Sequence, residues 1–119
     1  MNYTITNRTK GKVITERARF ARSFFKRMFG YMFRARIEAD DALIFYSAPS
    51  MHMFFMRFPL DIVFLDKSNK VIRIFKSIGP WRLANCFQSK VTIEFSADVT
   101  TKIPIELGDI LDISAVSTK

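Results

Sequence analysis

The sequence predicts a mainly β protein, an antiparallel β-sandwich or barrel of about eight short strands with one packed α-helix. Short segments of partly alternating apolar and polar residues recur along the chain, separated by turns containing Gly, Pro, Asn or Ser. One further stretch, residues 24–32, has its apolar residues at the spacing of a helical stripe. With 119 residues, 49% of them hydrophobic, the chain is long enough for one domain to bury a core.

The strands are predicted from the period-two pattern and from the turns between them. Met51–Phe58 is apolar on both faces, which is typical of a central or covered strand, and Pro59 ends it because proline cannot donate to a ladder. Lys67–Lys70 is expected to form a hairpin turn. The predicted strands are Tyr3–Thr6, Val13–Phe20, Ala42–Tyr46, Met51–Phe58, Asp61–Asp66, Val71–Phe75, Val91–Phe95 and Ile110–Ile113.

The helix is predicted to begin after Ser23, a favoured N-cap residue. Lys26 and Arg27 then place cations near the helix start, where they oppose the helix dipole and would suit a bound anion or an exposed basic face. The stripe that would bury against a sheet consists of Phe24, Phe25, Met28, Phe29 and Met32.

Length and composition predict one domain over residues 1–119, in which residues 1–12 form an N-terminal hairpin region and residues 114–119 a flexible tail. The single cysteine, Cys86, excludes an internal disulfide and fits a reducing compartment. No apolar run is long enough to span a bilayer, and the N-terminus lacks a signal-peptide core. We therefore expect a cytoplasmic protein without membrane insertion, and no cofactor motif is present.

The positive charge is concentrated near the N-terminus. The first 36 residues carry ten basic side chains against the single acidic Glu16, whereas the remainder nearly cancels, so the net charge of +8 belongs to this third of the chain. Such asymmetry raises nucleic-acid or protein-partner binding as one possibility and an ordinary solvated face as the other. The basic face would consist of Arg17, Arg19, Arg22, Lys26 and Arg27.

The segment from Ser50 to Asp66 predicts a site because the only histidine, His52, stands in an apolar run. A polar group buried there must be hydrogen-bonded, paired or functional. Since Pro59 forces a turn, Asp61 could return to His52 and fix its tautomer, either as an acid–base dyad or as a buried polar contact. The candidate ligand-binding residues are His52, Met56, Arg57, Asp61 and Trp81, with Arg57 suited to an anionic group.

Other chemistry has weaker support in the sequence. Copper(I) would favour thioether and thiolate donors, but Met51 and Met53 should point away from His52 on a strand, so we expect no metal site. No Gly-x-Ser-x-Gly elbow accompanies Ser47 or Ser50, and nothing places Cys86 beside His52. An enzyme using His52 and Asp61 stays open but is not favoured.

The same segment, with its Met-His-Met-Phe-Phe-Met and Phe-Pro-Leu-Asp-Ile-Val-Phe-Leu-Asp runs, resembles the signature of domain of unknown function 192. Residues 21–32, Pro80-Trp81-Arg82 and Gly108-Asp109 also fit that family, and the likeness covers roughly residues 13–113. The resemblance implies a mainly β fold with one packed helix and implies no reaction. Glu94 to Asp98 departs from the usual Glu-Leu-Pro-Ala-Gly, which leaves that turn geometry open.

These observations favour a module that binds a small ligand, of unidentified and potentially anionic chemistry, in a pocket around His52. Binding of nucleic acid or a protein partner through the basic N-terminal third is the alternative. A small acid–base enzyme ranks third.

Overall fold

The computed structural model describes residues 2–21, 38–46, 50–52, 58–79, 82–86 and 88–116, with Ser50–His52 and Leu83 described by their backbone alone. It contains nine strands and one short helix in this part of the chain. In chain order these are β1 (Tyr3–Asn7), β2 (Lys12–Phe20), β3 (Asp41–Tyr46), β4 (Ser50–His52), β5 (Leu60–Leu65), β6 (Val71–Ile78), β7 (Leu83–Asn85), β8 (Val91–Ser96), α1 (Val99–Lys102) and β9 (Leu111–Ala115).

Seven strands form one curled sheet in the order β6-β5-β8-β3-β2-β1-β9, and β4 pairs with β7 in a second, two-stranded sheet. All pairs are antiparallel except β2 with β3. An isolated bridge between Lys70 and Ile110 joins the two edges of the large sheet at one end. The result is a half-barrel in which, among the described residues, the two edges meet where residues 69–71 contact residues 108–111.

The large sheet buries apolar residues on both faces, which divides the core in two. The first core cluster is built mainly from β1, β2, β3, β5, β8 and β9 and includes Ile5, Ile44, Val63, Leu65, Ile93, Phe95, Val99, Ile105 and Leu111. The second core cluster consists of Ala21, Leu43, Phe45, Leu60, Ile62, Phe64, Ala84 and Cys86. Because β5 contributes to both clusters, all six of its residues are buried, as expected for a central strand covered on both faces.

The predicted fold class is confirmed, since strands dominate the described residues and seven of the predicted segments are strands with bounds shifted by a few residues. Within the predicted strand Met51–Phe58, Met51 and His52 belong to β4, residues 53–57 lie outside the described residues, and Phe58 is a bend. The helix predicted after Ser23 also lies outside them. The sequence analysis missed the three-residue β7, the four-residue α1 and the parallel β2–β3 pair.

Two turns each contain a residue with a positive φ, a backbone conformation that favours particular residue types. Asp98, at the position where the family pattern has glycine, has φ +70°, so aspartate adopts the conformation that glycine usually supplies. Gly108, in the turn before β9, has φ +92°. No helix in the described part of the chain is long and apolar enough to cross a membrane.

Replacing Gly108 by alanine should lower the free energy of unfolding by about 1–2 kcal/mol, the cost of holding a Cβ residue at positive φ. An added Cβ would meet no atom within 4 Å, so the effect isolates backbone strain. Gly79→Ala is the matched control, because Gly79 has equal space and no left-handed φ. Urea unfolding of both variants measures the difference, and equal stabilities would contradict the assignment.

Candidate functional site

The backbone of His52 lies in the two-stranded sheet. His52 is paired with Leu83, Met51 with Ala84 and Ser50 with Asn85. This pairing brings the histidine segment alongside residues 83–85, which follow directly after the Pro80-Trp81-Arg82 motif. Arg82 is exposed. Two parts of the chain that the sequence analysis connected with a pocket are therefore adjacent through their backbones.

The two-stranded sheet lies on the second-cluster face of the large sheet. Ala84 is fully buried and Cys86 is 7% exposed, and both belong to the second core cluster with residues of β3 and β5. The Cys86 thiol lies 3.8 Å from the Gln88 Oε1 atom. The packing of Ala84 and Cys86 in the second core cluster connects β7, and with it the paired β4, to β3 and β5.

A buried carboxylate, Glu94, lies on this same face. It stands in the middle of β8, directly opposite Leu43 of β3 and Ile62 of β5, and is 3% exposed. Cross-strand neighbours share a face, so Glu94 projects from the side that carries the second core cluster. A carboxylate placed among apolar side chains is costly unless it is paired or hydrogen-bonded, and such groups are concentrated at functional sites.

Glu94 was not among the residues that the sequence analysis assigned to a site. The signal was present in the strand Val91–Ser96, where Val91, Ile93 and Phe95 alternate with Thr92 and Glu94. Polar residues at alternate positions of a central strand indicate that one face of the sheet is not lined by apolar side chains alone. Only the strand order, which puts β8 between β3 and β5, shows that this face is buried.

Asp61 projects from the opposite face of the large sheet. It lies opposite Phe95, a member of the first core cluster, and is fully buried. Its Oδ1 atom accepts the Ser77 N–H at 2.7 Å and the Asp98 N–H at 3.1 Å. Its Oδ2 atom accepts the Thr100 N–H at 3.0 Å and the Thr100 hydroxyl at 2.6 Å.

Those four donors match the roughly four lone-pair positions of a carboxylate. Asp61 thereby joins β5, β6 and the first turn of α1, which is a structural role. The predicted His52–Asp61 hydrogen bond stays a prediction, because the His52 side chain is outside the described atoms. Met56, Arg57 and Trp81 lie outside the described residues, so their place in a pocket also stays a prediction.

The basic face is described only in part, at Arg17 and Arg19 of β2, while Arg22, Lys26 and Arg27 lie outside the described residues. The Arg17 guanidinium lies 3.2 Å from an Asp40 carboxylate oxygen and 3.5 Å from one of Asp41. These ion pairs compensate the Arg17 charge locally. Arg19 is half-buried.

A second polar cluster surrounds Asp109, which is 5% exposed and lies at the end where the half-barrel closes. Its Oδ2 atom accepts Asn7 Nδ2 at 2.8 Å, Lys10 Nζ at 2.6 Å and the Glu106 N–H at 3.0 Å. The carboxylates of Asp109 and Glu106, in that order, raise the pKa of Lys10. Burial alone would raise the pKa of Asp109, but the hydrogen bonds from Lys10, Asn7 and Glu106 outweigh it and hold that pKa below its ordinary value.

This cluster binds the β1–β2 turn to the loop before β9, so it supports the fold and not a metal ion. Within the described ranges, no three His, Cys, Asp or Glu side chains are grouped so that they could hold a metal.

The fold and the sequence are similar to those of known proteins. The profile of the family described as "Uncharacterized ACR", domain of unknown function 192, matches residues 5–113. A UPF0127 protein of Thermococcus sibiricus is 36% identical over 113 residues, covering 91% of this chain and 73% of that relative. A UPF0127 protein of Pyrococcus furiosus is 34% identical, with coverages of 89% and 94%. A protein of unknown function from Novosphingobium aromaticivorans has a crystal structure with a TM-score of 0.79 at 23% identity, covering 94% of this chain and 84% of that chain, which shows the same fold.

Proposed function

This chain belongs to the family of domain of unknown function 192, whose description names no activity, and we propose from its geometry that it is a small-ligand-binding module. The site is the second-cluster face of the large sheet where the His52 strand overlies it. The observation that carries the proposal is the burial of the Glu94 carboxylate on that face, 3% exposed between Leu43 and Ile62.

The chemistry of the site restricts the ligand. A carboxylate only accepts hydrogen bonds when it is ionised, so a ligand hydroxyl or amine would suit the buried Glu94. The imidazole of His52 would supply a donor or an acceptor. Arg57, as predicted from the sequence, or the exposed Arg82 would bind an anionic group at the rim. We therefore expect a small polar molecule that carries both a donor group and an acidic group.

The remaining predicted residues have different parts in this proposal. Met56 and Trp81 would line the apolar wall of the pocket. Asp61 would keep the structural role that its four hydrogen bonds give it, instead of binding the ligand.

Native mass spectrometry of gently purified protein tests the proposal. We expect a stoichiometric extra mass in the wild type and at least about a tenfold lower occupancy in His52→Ala and Glu94→Gln, because each change removes a polar contact to the ligand. Glu16→Gln is the matched control, since it makes the same chemical change at an exposed position of β2. Far-UV circular dichroism checks that every variant is folded.

Two results would contradict the proposal. A folded Glu94→Gln protein that keeps full occupancy would remove Glu94 from the site. A wild type with no extra mass, together with oligonucleotide binding that falls steeply with salt and weakens when Arg17 and Arg19 are reversed, would favour the basic-face alternative.

A further inference from the structure

The strand β6 is an edge of the large sheet, and most of its outer side pairs with none of the residues that the structure describes. At its start, the Val71 N–H donates to the Asp109 carbonyl and the Val71 carbonyl accepts the Gly108 N–H, both at 2.8 Å. Beyond Val71, no backbone group of the described residues pairs with the outer edge of β6. Unpaired N–H and C=O groups along a strand can pair with a further strand.

A groove of about 500 Å³ runs along this edge, within the usual size range of binding pockets. It lies in the gap that the half-barrel leaves open between β6 and the loop before β9. Leu107 lies at its mouth with 67% of its surface exposed, so it is accessible to a bound chain. The lining residues are Ile72, Arg73, Ile74, Lys76, Ile105, Glu106 and Leu107.

The charge of the groove is positive. Arg73 and Lys76 are exposed, and neither forms an ion pair with a carboxylate in the described part of the chain. The Arg73 guanidinium lies 4.5 Å above the Phe75 ring, and Lys76 Nζ is 3.4 Å from the Thr101 hydroxyl oxygen. The one acidic residue of the groove, Glu106, is bound by Lys10 at 2.8 Å. The groove therefore offers two cations to a ligand and one carboxylate that is already paired.

We propose that the outer edge of β6 binds an extended acidic peptide of a partner protein as an additional strand. The peptide backbone would pair with β6 beyond Val71. Its apolar side chains would occupy the groove beside Ile105 and Leu107, and its carboxylates would lie against Arg73 and Lys76. A second copy of this chain fits less well, because pairing β6 with itself would bring these cations close to like charges.

This site is independent of the proposed pocket, since β6 and the loop at 105–107 share no residue with β4, β7 or Glu94. The two proposals can fail separately.

The test uses a synthetic peptide of alternating valine and glutamate, about six residues long to match an ordinary strand. Amide chemical shifts of the isotope-labelled full chain are followed during the titration. We expect saturable shifts confined to residues 72–78 and 105–107. The double variant Arg73→Glu, Lys76→Glu should bind at least about tenfold more weakly, because reversing both charges replaces attraction by repulsion. Lys90→Glu, an exposed cation outside the groove, should bind as the wild type does.

Two control peptides separate charge from strand pairing. A valine–lysine peptide of equal length should not bind. A valine–glutamate peptide with the same side chains but with alternate backbone amides N-methylated should bind weakly, because those backbone donors are missing. Shifts scattered over all basic surfaces, equal binding of the N-methylated peptide, or unchanged binding by the double variant would each overturn the proposal. Shifts centred on residues 83–86 would also overturn it and would assign the peptide to the other site.

Discussion

Replacing Asp61 by alanine is expected to lower the free energy of unfolding by about 3–5 kcal/mol, at the upper end of single-residue effects. The carboxylate is fully buried and accepts four hydrogen bonds, three of them from backbone N–H groups. Alanine would leave the buried Thr100 N–H and hydroxyl, and the part-buried Ser77 and Asp98 N–H groups, without this acceptor. Each buried donor left unsatisfied costs about 1–3 kcal/mol before the structure relaxes.

The donors to Asp61 lie on three separate backbone positions, two of which have unusual conformations. Ser77 has φ +47° and Asp98 has φ +70°, so the carboxylate holds two residues in left-handed conformations. It also accepts the Thr100 N–H in the first turn of α1. Loss of Asp61 should therefore loosen the α1 region and the end of β6 together.

Chemical denaturation of Asp61→Ala and Asp61→Asn measures the effect, with the asparagine variant expected to lose less because it keeps one acceptor oxygen. Asp66→Ala is the matched control, since the Asp66 carboxylate also accepts two backbone N–H groups, from Ser68 and Lys70, but in an exposed turn. An Asp61→Ala protein that is as stable as the wild type but loses a bound ligand would restore the predicted His52–Asp61 site.

The strands were predictable because their signal is local. In β5, six consecutive residues are buried, and the run Leu-Asp-Ile-Val-Phe-Leu shows this through its apolar residues alone. In contrast, β7 is three residues long and has no period to detect. The helix α1 has the sequence Val-Thr-Thr-Lys, whose β-branched residues are weak helix formers, so tertiary contacts from Asp61 determine it and local propensity does not.

The candidate site was predictable only in part because the face of a residue depends on strand pairing. His52 is conspicuous as the only histidine, whatever the register. The turn at Pro59 explains how the chain returns, but it does not determine which face carries Asp61. The pairing of β5 with β8 places Asp61 opposite Phe95 and Glu94 opposite Ile62, on different faces. The sequence therefore pointed to Asp61, the acidic residue nearest to His52 along the chain, and gave no sign that Glu94 is buried on the other face.

Asp109→Asn is expected to lower the free energy of unfolding at neutral pH by about 2–4 kcal/mol, because three donors converge on a single buried carboxylate oxygen. The variant keeps the shape of the side chain and removes the charge that faces Lys10. The contacts it weakens hold the β1–β2 turn to the loop that leads into β9, which is where the half-barrel closes.

The pH dependence separates this effect from simple loss of packing. The folded pKa of Asp109 lies below its ordinary value of 3.8, because the hydrogen bonds from Lys10, Asn7 and Glu106 outweigh the effect of burial. The unfolded state therefore binds the proton more tightly than the folded state. The stabilisation is fully present above the unfolded pKa, and it is lost as the pH falls through the folded pKa.

Unfolding free energies measured from pH 7 down to pH 2 should therefore fall more steeply in the wild type than in Asp109→Asn, and the two curves should converge in acid. Asp66, whose pKa is lowered first by the Lys70 N–H and also by the Ser68 N–H, contributes an acid dependence that both proteins share. Asp112→Asn is the control, because its exposed pair with Arg8 at 2.8 Å should be worth less than about 1 kcal/mol. Parallel curves for the wild type and Asp109→Asn would show that the ionised carboxylate does not stabilise the closure of the sheet, and that only the shape of the side chain contributes there.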